Sequence, residues 1–358
     1  MAAWPFERNT NFICLEKKNI HYYEKPCVKH QLILSEAIKM KNKTVLCAGI
    51  IVMDHGCSPI DHFPLEGELI ATTGMALTLG GCAANVGVNL SKLDINAEIL
   101  GKIGDDDFGE IIIQKLKKTG TNINKIIKQK NSHTSQTLII NVKGQDRRFI
   151  HMIGANEDFT DNDLQKKDIE GCRIIYLGGY LLMNKLTPDH VANIFQMAQK
   201  NGSKTVLDVV TPGFGNHLEK LTPILPYVDV FLPNDTEAKL ISGIENPVKQ
   251  AEFFKSLGVK TSIITMGNQG TIMLNNQGCY RAGIFNIDYH DGSGSGDAFT
   301  AGFISGLLDN KSEIECIEIG SALGASCVRT QGTTEGVFNK KECAQFLNTN
   351  KLVIKKLD

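Results

Sequence analysis

DGSGSGDAFTAGF, residues 291–303, places four glycines among small and apolar residues directly before a stretch with helical spacing. One reading is a flexible linker. The other is an anion cradle. Phe299, Phe303 and Leu307 fall on one stripe of a helix over 298–309, with GIFNID (283–288) as a strand before it. Gly294, Ser295 and Gly296 then lie at the helix N-terminus, where unpaired N–H groups and the macrodipole favour an anion. Glycine lets the backbone approach such an anion closely. Asp297 stands in the first turn, ionised and able to accept a proton, or merely complementing the dipole.

Working outward, the chain alternates strands with helices. TVLCAGIIVMD (44–54), AEILGKIG (97–104), RIIYLGG (173–179), KTVLDVV (204–210), VDVFLP (228–233) and TSIITMG (261–267) are apolar runs suited to strands buried on both faces. Helical spacing marks 83–94, 107–120 and 188–202. The pattern predicts an α/β fold, a mostly parallel sheet with helices on both faces. Residues 55–79 and 135–153 break the rhythm with polar–apolar alternation, and the second reads as a hairpin turning at KGQD. Both are assigned to a small β-sheet lid.

Composition narrows the function. The 358 residues carry 38 basic and 39 acidic side chains, a net charge of −1. That balance excludes a dedicated nucleic-acid binder and a polybasic membrane protein. No apolar run approaches the roughly 18 residues of a membrane span. Ten scattered cysteines without a C-x-x-C pair fit free thiols in a cytoplasmic protein. Residues 1–42 lack clear alternation and are read as an N-terminal extension before the domain at 43–358. There is no Walker A loop, and G-x-G-x-G at 292–296 is a poor dinucleotide fingerprint.

The residues instead resemble the ribokinase-like (PfkB) carbohydrate kinases. DGSGSGDAFTAGF is similar to that family's D-T-x-G-A-G-D-x-F signature. TLGGCAANVGVNLSKLD (78–94) with GKIGDDDFG (101–109) resembles its second signature. PNDTEAK (233–239) matches N-x-x-E, and TMGNQG (265–270) matches T-x-G-x-x-G. All four occur in family order over roughly residues 44–338.

The resemblance implies an ATP-dependent kinase with a sugar or nucleoside acceptor. It makes Asp297 the general base and Gly294, Ser295 and Gly296 the anion hole. Asp54, taken as ending the first buried strand, would hold sugar hydroxyls with Gly80, Gly81, Asn85 and, from the returning G-A-N segment, Asn156. Arg147 or Arg148 would reach the substrate from the lid, with Arg148 the one assigned. Asn234, Thr265, Gly267 and Gly270 would bind nucleotide, and Glu237 would hold Mg²⁺ through water. Local readings compete at several of these positions: a helix cap for Asn234 and Glu237, a strand-end turn for Thr265 and Gly267, a strand-to-helix turn for Gly80 and Gly81. Backbone carbonyls of Asp291, Ser293 and VRTQG (328–332) would suit K⁺. Gly292 and Ser295 depart from the family's Thr and Ala, and Cys82 stands where many ribokinases have lysine. Three functions remain open: a sugar kinase, a nucleoside kinase, or a catalytically silent sugar sensor. Free lid edges suggest a homodimer.

Overall fold

The computed structural model describes residues 45–145, 147–213 and 215–357. The assigned N-terminal extension, 1–42, lies outside them. A ten-stranded sheet runs in the order β14-β13-β12-β11-β10-β9-β8-β1-β4-β5. The strands β1 (Val45–Gly49), β4 (Ala97–Gly104), β5 (Asn122–Gln129), β8 (Ile174–Gly178), β9 (Lys204–Leu207), β10 (Val230–Phe231) and β11 (Thr261–Thr265) are parallel. Each apolar run foreseen as a strand contributes one. Beyond β11 the sheet continues antiparallel through β12 (Thr271–Asn275), β13 (Gly278–Ala282) and β14 (Ile354–Leu357). These three went unrecognised in the sequence, whereas GIFNID (283–288), read as a strand, is not one.

The helices of eight or more residues are α1 (Cys82–Lys92), α2 (Asp107–Thr119), α3 (Pro188–Lys200), α4 (Asp235–Ser242), α5 (Pro247–Ser256), α6 (Ser295–Leu308), α7 (Glu313–Cys327) and α8 (Lys340–Thr349). The expected apolar stripe on α6 is a correction: every residue from Ala298 to Leu308 is buried, because α6 lies between α1 and α7. Gly302 allows that crossing, since a Cβ there would stand 2.8 Å from Gly320 Cα. Among the described residues, no helix is long and apolar enough to cross a membrane.

The run at 44–54 is not one strand. β1 ends at Gly49, whose φ of 140° and missing Cβ, 2.1 Å from the Gly178 carbonyl, leave room for no other residue. The chain then crosses to β2 (Val52–Cys57) in a second sheet, ordered β3-β2-β6-β7 with β3 (Met75–Gly80), β6 (Gln136–Ile140) and β7 (Arg148–Met152). Asp54 therefore belongs to the lid sheet rather than to the end of the first buried strand. Asn156 pins the crossing. Its Oδ1 accepts from Ile51 N–H at 3.1 Å and its Nδ2 donates to the Ile51 carbonyl at 3.0 Å. Replacing it with alanine strands both backbone groups in a buried setting. Asn156→Ala should destabilise the protein by about 2–3 kcal/mol, read as a lower urea midpoint at unchanged m-value.

Candidate active site

The carboxyl ends of β1, β8, β9, β10 and β11 open on one edge of the sheet, where open α/β sheets bind ligands. The loop before α6 arrives at that edge. Gly294 caps the helix with φ 75°, and a Cβ there would lie 2.4 Å from the Thr333 carbonyl. The N–H groups of Gly294, Gly296 and Asp297 make no hydrogen bond among the described residues. That of Ser295 donates to the Gly292 carbonyl at 3.3 Å, and its Oγ does so at 2.9 Å. Space beside Gly296 is open. The unbonded amides of the helix start are thus Gly294, Gly296 and Asp297, with Ser295 turned back on its own loop.

Asp297 meets the first turn of α1. Asn85 donates to Asp297 Oδ2 at 2.8 Å, and the thiol of Cys82, three residues earlier on the same face, donates to the same carboxylate. Burial raises the Asp297 pKa, and these two donors oppose the rise. Burial, with Asp297 and Asp208 nearby, pushes the Cys82 thiol well up, so it stays a protonated donor. Asn85 is held from behind: Thr333 Oγ1 lies 2.9 Å from its Oδ1 and 2.5 Å from the Leu79 carbonyl. The sequence reading gave Asn85 to the sugar; its amide nitrogen is directed at Asp297.

Other carboxylates crowd this edge. Asp208, just past β9, comes close to Cys82 and Asp297, with one ligand-capable atom from each within 4.8 Å of the others. Burial, then Glu237 and Asp297, raise its pKa well above the usual range, and Tyr176 donates to it at 3.0 Å. Sequence reasoning missed Asp208; the available signal was an acid directly after an apolar strand, at a carboxyl end. Glu237 is pushed up to about 8 by burial, with Asp297 contributing and the Asn234 N–H opposing. Asp54 is raised to about 7 by burial, with Asp297 and Asp291 adding and the Thr137 hydroxyl opposing. Asp54, from the second sheet, and Asp297, from α6, are therefore close enough for their charges to interact. Such a crowd of acids beside unbonded amides suits a nucleotide triphosphate carried with a divalent cation.

Several assigned residues have local roles. Asn234 and Glu237 form a reciprocal cap on α4: Oδ1 accepts from Glu237 N–H at 2.8 Å, and Oε2 accepts from Asn234 N–H at 3.0 Å. Thr265 ends β11 and pairs with Asn234 across the sheet edge. Gly267 borders open space, whereas Gly270 is required by packing, its absent Cβ lying 2.1 Å from the Ala282 carbonyl. Gly80 leaves room for Asp54, whose Oδ2 would be 2.1 Å from a Cβ there. Gly81, at φ 88°, turns the chain into α1.

The two arginines diverge. Arg148 is exposed, bonds Gln145 Oε1 at 2.6 Å and lies over Phe63. It is Arg147 that reaches the loop before α6, donating to Ser293 Oγ at 2.8 Å and standing 3.6 Å from Asp291 Oδ1. Asp291 also accepts from Ser293 N–H at 3.0 Å and Gly332 N–H at 3.3 Å, joining the loop to VRTQG. Of the carbonyls assigned to K⁺, that of Ser293 lies 3.2 Å from Cys327 Sγ. That of Val328 accepts from the N–H groups of His290 and Asp291.

Comparison with known proteins gives one consistent answer. The pfkB family carbohydrate kinase profile matches residues 42–340. Ribokinase of Haemophilus influenzae is 27% identical over 311 residues, 85% of this chain and 98% of its own length. ATP-dependent 6-phosphofructokinase of Thermoanaerobacterium thermosaccharolyticum is 26% identical, covering 71% of this chain and 80% of its own. A putative ribokinase II of E. coli, solved in complex with ATP and Mg²⁺, superposes with a TM-score of 0.74 at 21% identity. That match covers 86% of this chain and 100% of the solved one.

Proposed function

The chain belongs to the pfkB family of carbohydrate kinases, and on that premise we propose that it transfers the γ-phosphate of ATP to a sugar hydroxyl, with Asp297 as general base. The observation carrying this reading is the position of Asp297: first turn of α6, beside unbonded amides, and within electrostatic reach of Asp54. Asp54 accepts hydrogen bonds from acceptor hydroxyls and presents the reacting one to Asp297. Asn85 and Cys82 hold the Asp297 carboxylate and keep its basic form accessible despite burial. The Gly294, Gly296 and Asp297 amides receive charge on the transferred group, a preorganised contribution that needs no rearrangement. Glu237, with Asp208 beside it, would hold a hydrated Mg²⁺ that screens the phosphates. Thr265 and Gly267 lie at the same edge, ready for the nucleotide, and the loop of Asp291, Ser293 and Val328 is the candidate K⁺ site.

ADP release over a panel of sugars and nucleosides, with and without Mg²⁺ and K⁺, tests the reading. Release that depends on a sugar and on Mg²⁺ is expected; a flat panel at high enzyme concentration counts against it.

The lid also supports a homodimer. Leu77, Leu138 and Ile150 stand in one cross-strand row on the side opposite Asp54, flanked by Met75 and Met152, and all five are exposed. An apolar sheet face of this kind marks an interaction surface. Leu138→Lys with Ile150→Glu should convert a dimer to a monomer in light scattering; a wild type that is already monomeric at high concentration contradicts this pairing.

A further inference from the structure

The inner face of the lid carries a hydrogen-bond chain that the transfer step leaves unused. Thr78, Asp54, Thr137 and His151 stand opposite one another across β3, β2, β6 and β7. Cross-strand neighbours share a face, so all four lie on the side bearing Asp54. Thr137 Oγ1 lies 3.0 Å from His151 Nδ1. Beside an ionised Asp54, Thr137 directs its one proton to that carboxylate and accepts from Nδ1. In that state Nδ1 carries the hydrogen and Nε2 the lone pair. His151 Nε2 is shielded from solvent and has no partner among the described residues. Burial lowers the imidazole pKa, keeping the ring neutral. Native proteins rarely leave such an atom unpaired, and here it terminates a chain starting at the carboxylate assigned to the acceptor.

We propose that His151 is a specificity-determining residue of the acceptor site, its Nε2 accepting a hydrogen bond from an acceptor hydroxyl beyond those held by Asp54. The inference rests on the kinase reading above and deepens it. A fixed lone pair requires a donor, which a neutral polyhydroxylated sugar supplies. A carboxylate or phosphate at that position brings only acceptors, and it would also meet Asp54 and Asp291. Arg147, the cation of this neighbourhood, is already engaged with Ser293 and Asp291. The site therefore selects neutral sugars over the matching sugar acids and sugar phosphates.

The test uses wild type, His151→Phe and His151→Gln with a neutral acceptor, its monodeoxy series and its matching acid. Wild type should favour the neutral sugar over the acid by about tenfold or more in kcat/KM, and one deoxy analogue should lose about tenfold. His151→Phe should raise KM for the parent sugar by about tenfold with kcat nearly unchanged, and should no longer distinguish that deoxy analogue. His151→Gln, which keeps an acceptor oxygen, should recover part of the loss. An unchanged KM in a folded His151→Phe, as judged by thermal melting, overturns the proposal. So does a wild type that prefers the acid, or a deoxy series in which no analogue loses tenfold; neither result depends on a variant folding. Turnover of any acceptor upholds the kinase reading independently, so these failures concern His151 alone. No turnover on any sugar sinks the kinase reading and this assignment with it.

Discussion

Asp297→Asn is expected to lower kcat by about 10²–10⁴-fold, the range a positioned general base contributes. The change keeps the shape and one oxygen of the side chain but removes its ability to take a proton. Folding should survive, because the replaced group is a buried carboxyl whose pKa is already raised by desolvation. Acceptor binding by calorimetry should change far less than turnover, since the contacts to hydroxyls come from Asp54. The comparison also separates a kinase from a silent sensor: a sensor would retain its sugar response in this variant. A kcat within about threefold of wild type would remove Asp297 from the reaction, because that difference is under 1 kcal/mol.

Asp54→Asn should produce opposite effects on binding and on stability. Asp54 has a folded pKa of about 7 against 3.8 in the unfolded chain. The folded state thus holds the proton more tightly. The associated stability is present below about pH 4 and is lost as pH rises through about 7. Each unit of difference corresponds to about 1.4 kcal/mol, so at pH 8 the ionised carboxylate is a substantial burden on the apoenzyme. Glu237, raised to about 8, acts in the same direction. Asp54→Asn should therefore raise the apoenzyme Tm by several degrees at pH 8 and leave it nearly unchanged at pH 4. The same substitution removes a charged hydrogen-bond acceptor from the sugar, raising the acceptor KM by about 10–100-fold. Thermal melts from pH 4 to 9, paired with acceptor saturation curves, check both halves. A variant that is less stable at pH 8 would show that Asp54 is ionised at little cost and that the cleft is wetter than its burial implies. The trade between stability and function is the usual one for a site that gathers like charges.

Much of the main sheet was legible because a parallel strand buried on both faces is an uninterrupted apolar run, as in VLCAG or TSIIT. The same rule concealed the break at Gly49. AGIIVMD stays apolar through the crossing, and the turn depends on the close approach of Gly178 and on the two bonds from Asn156, 105 residues distant in sequence. β12 to β14 are short strands of four or five residues whose side chains alternate weakly, so they resembled loops. In the site, the glycines and Asp297 could be located by motif, but the direction of a side chain could not. Arg147 and Arg148 are adjacent, and only the pairing register shows which one reaches Ser293 and Asp291. Asn85 is directed at Asp297 because α1 and α6 pack together, a tertiary fact with no local signal. Asp208 and His151 sit in segments whose strand character was recognised; Asp208 carried the signal of an acid at a strand's carboxyl end, whereas nothing local distinguished His151 from an ordinary lid residue.

The central claim is that phosphate moves from ATP directly to a sugar oxygen deprotonated by Asp297. The most direct measurement follows the label from γ-³²P-ATP with wild type and Asp297→Asn, each given Mg²⁺ and the sugar panel. The account predicts label on a sugar, in step with ADP formed, by wild type alone. Label found only as inorganic phosphate or on the protein, or sugar labelling by Asp297→Asn at the wild-type rate, would contradict it.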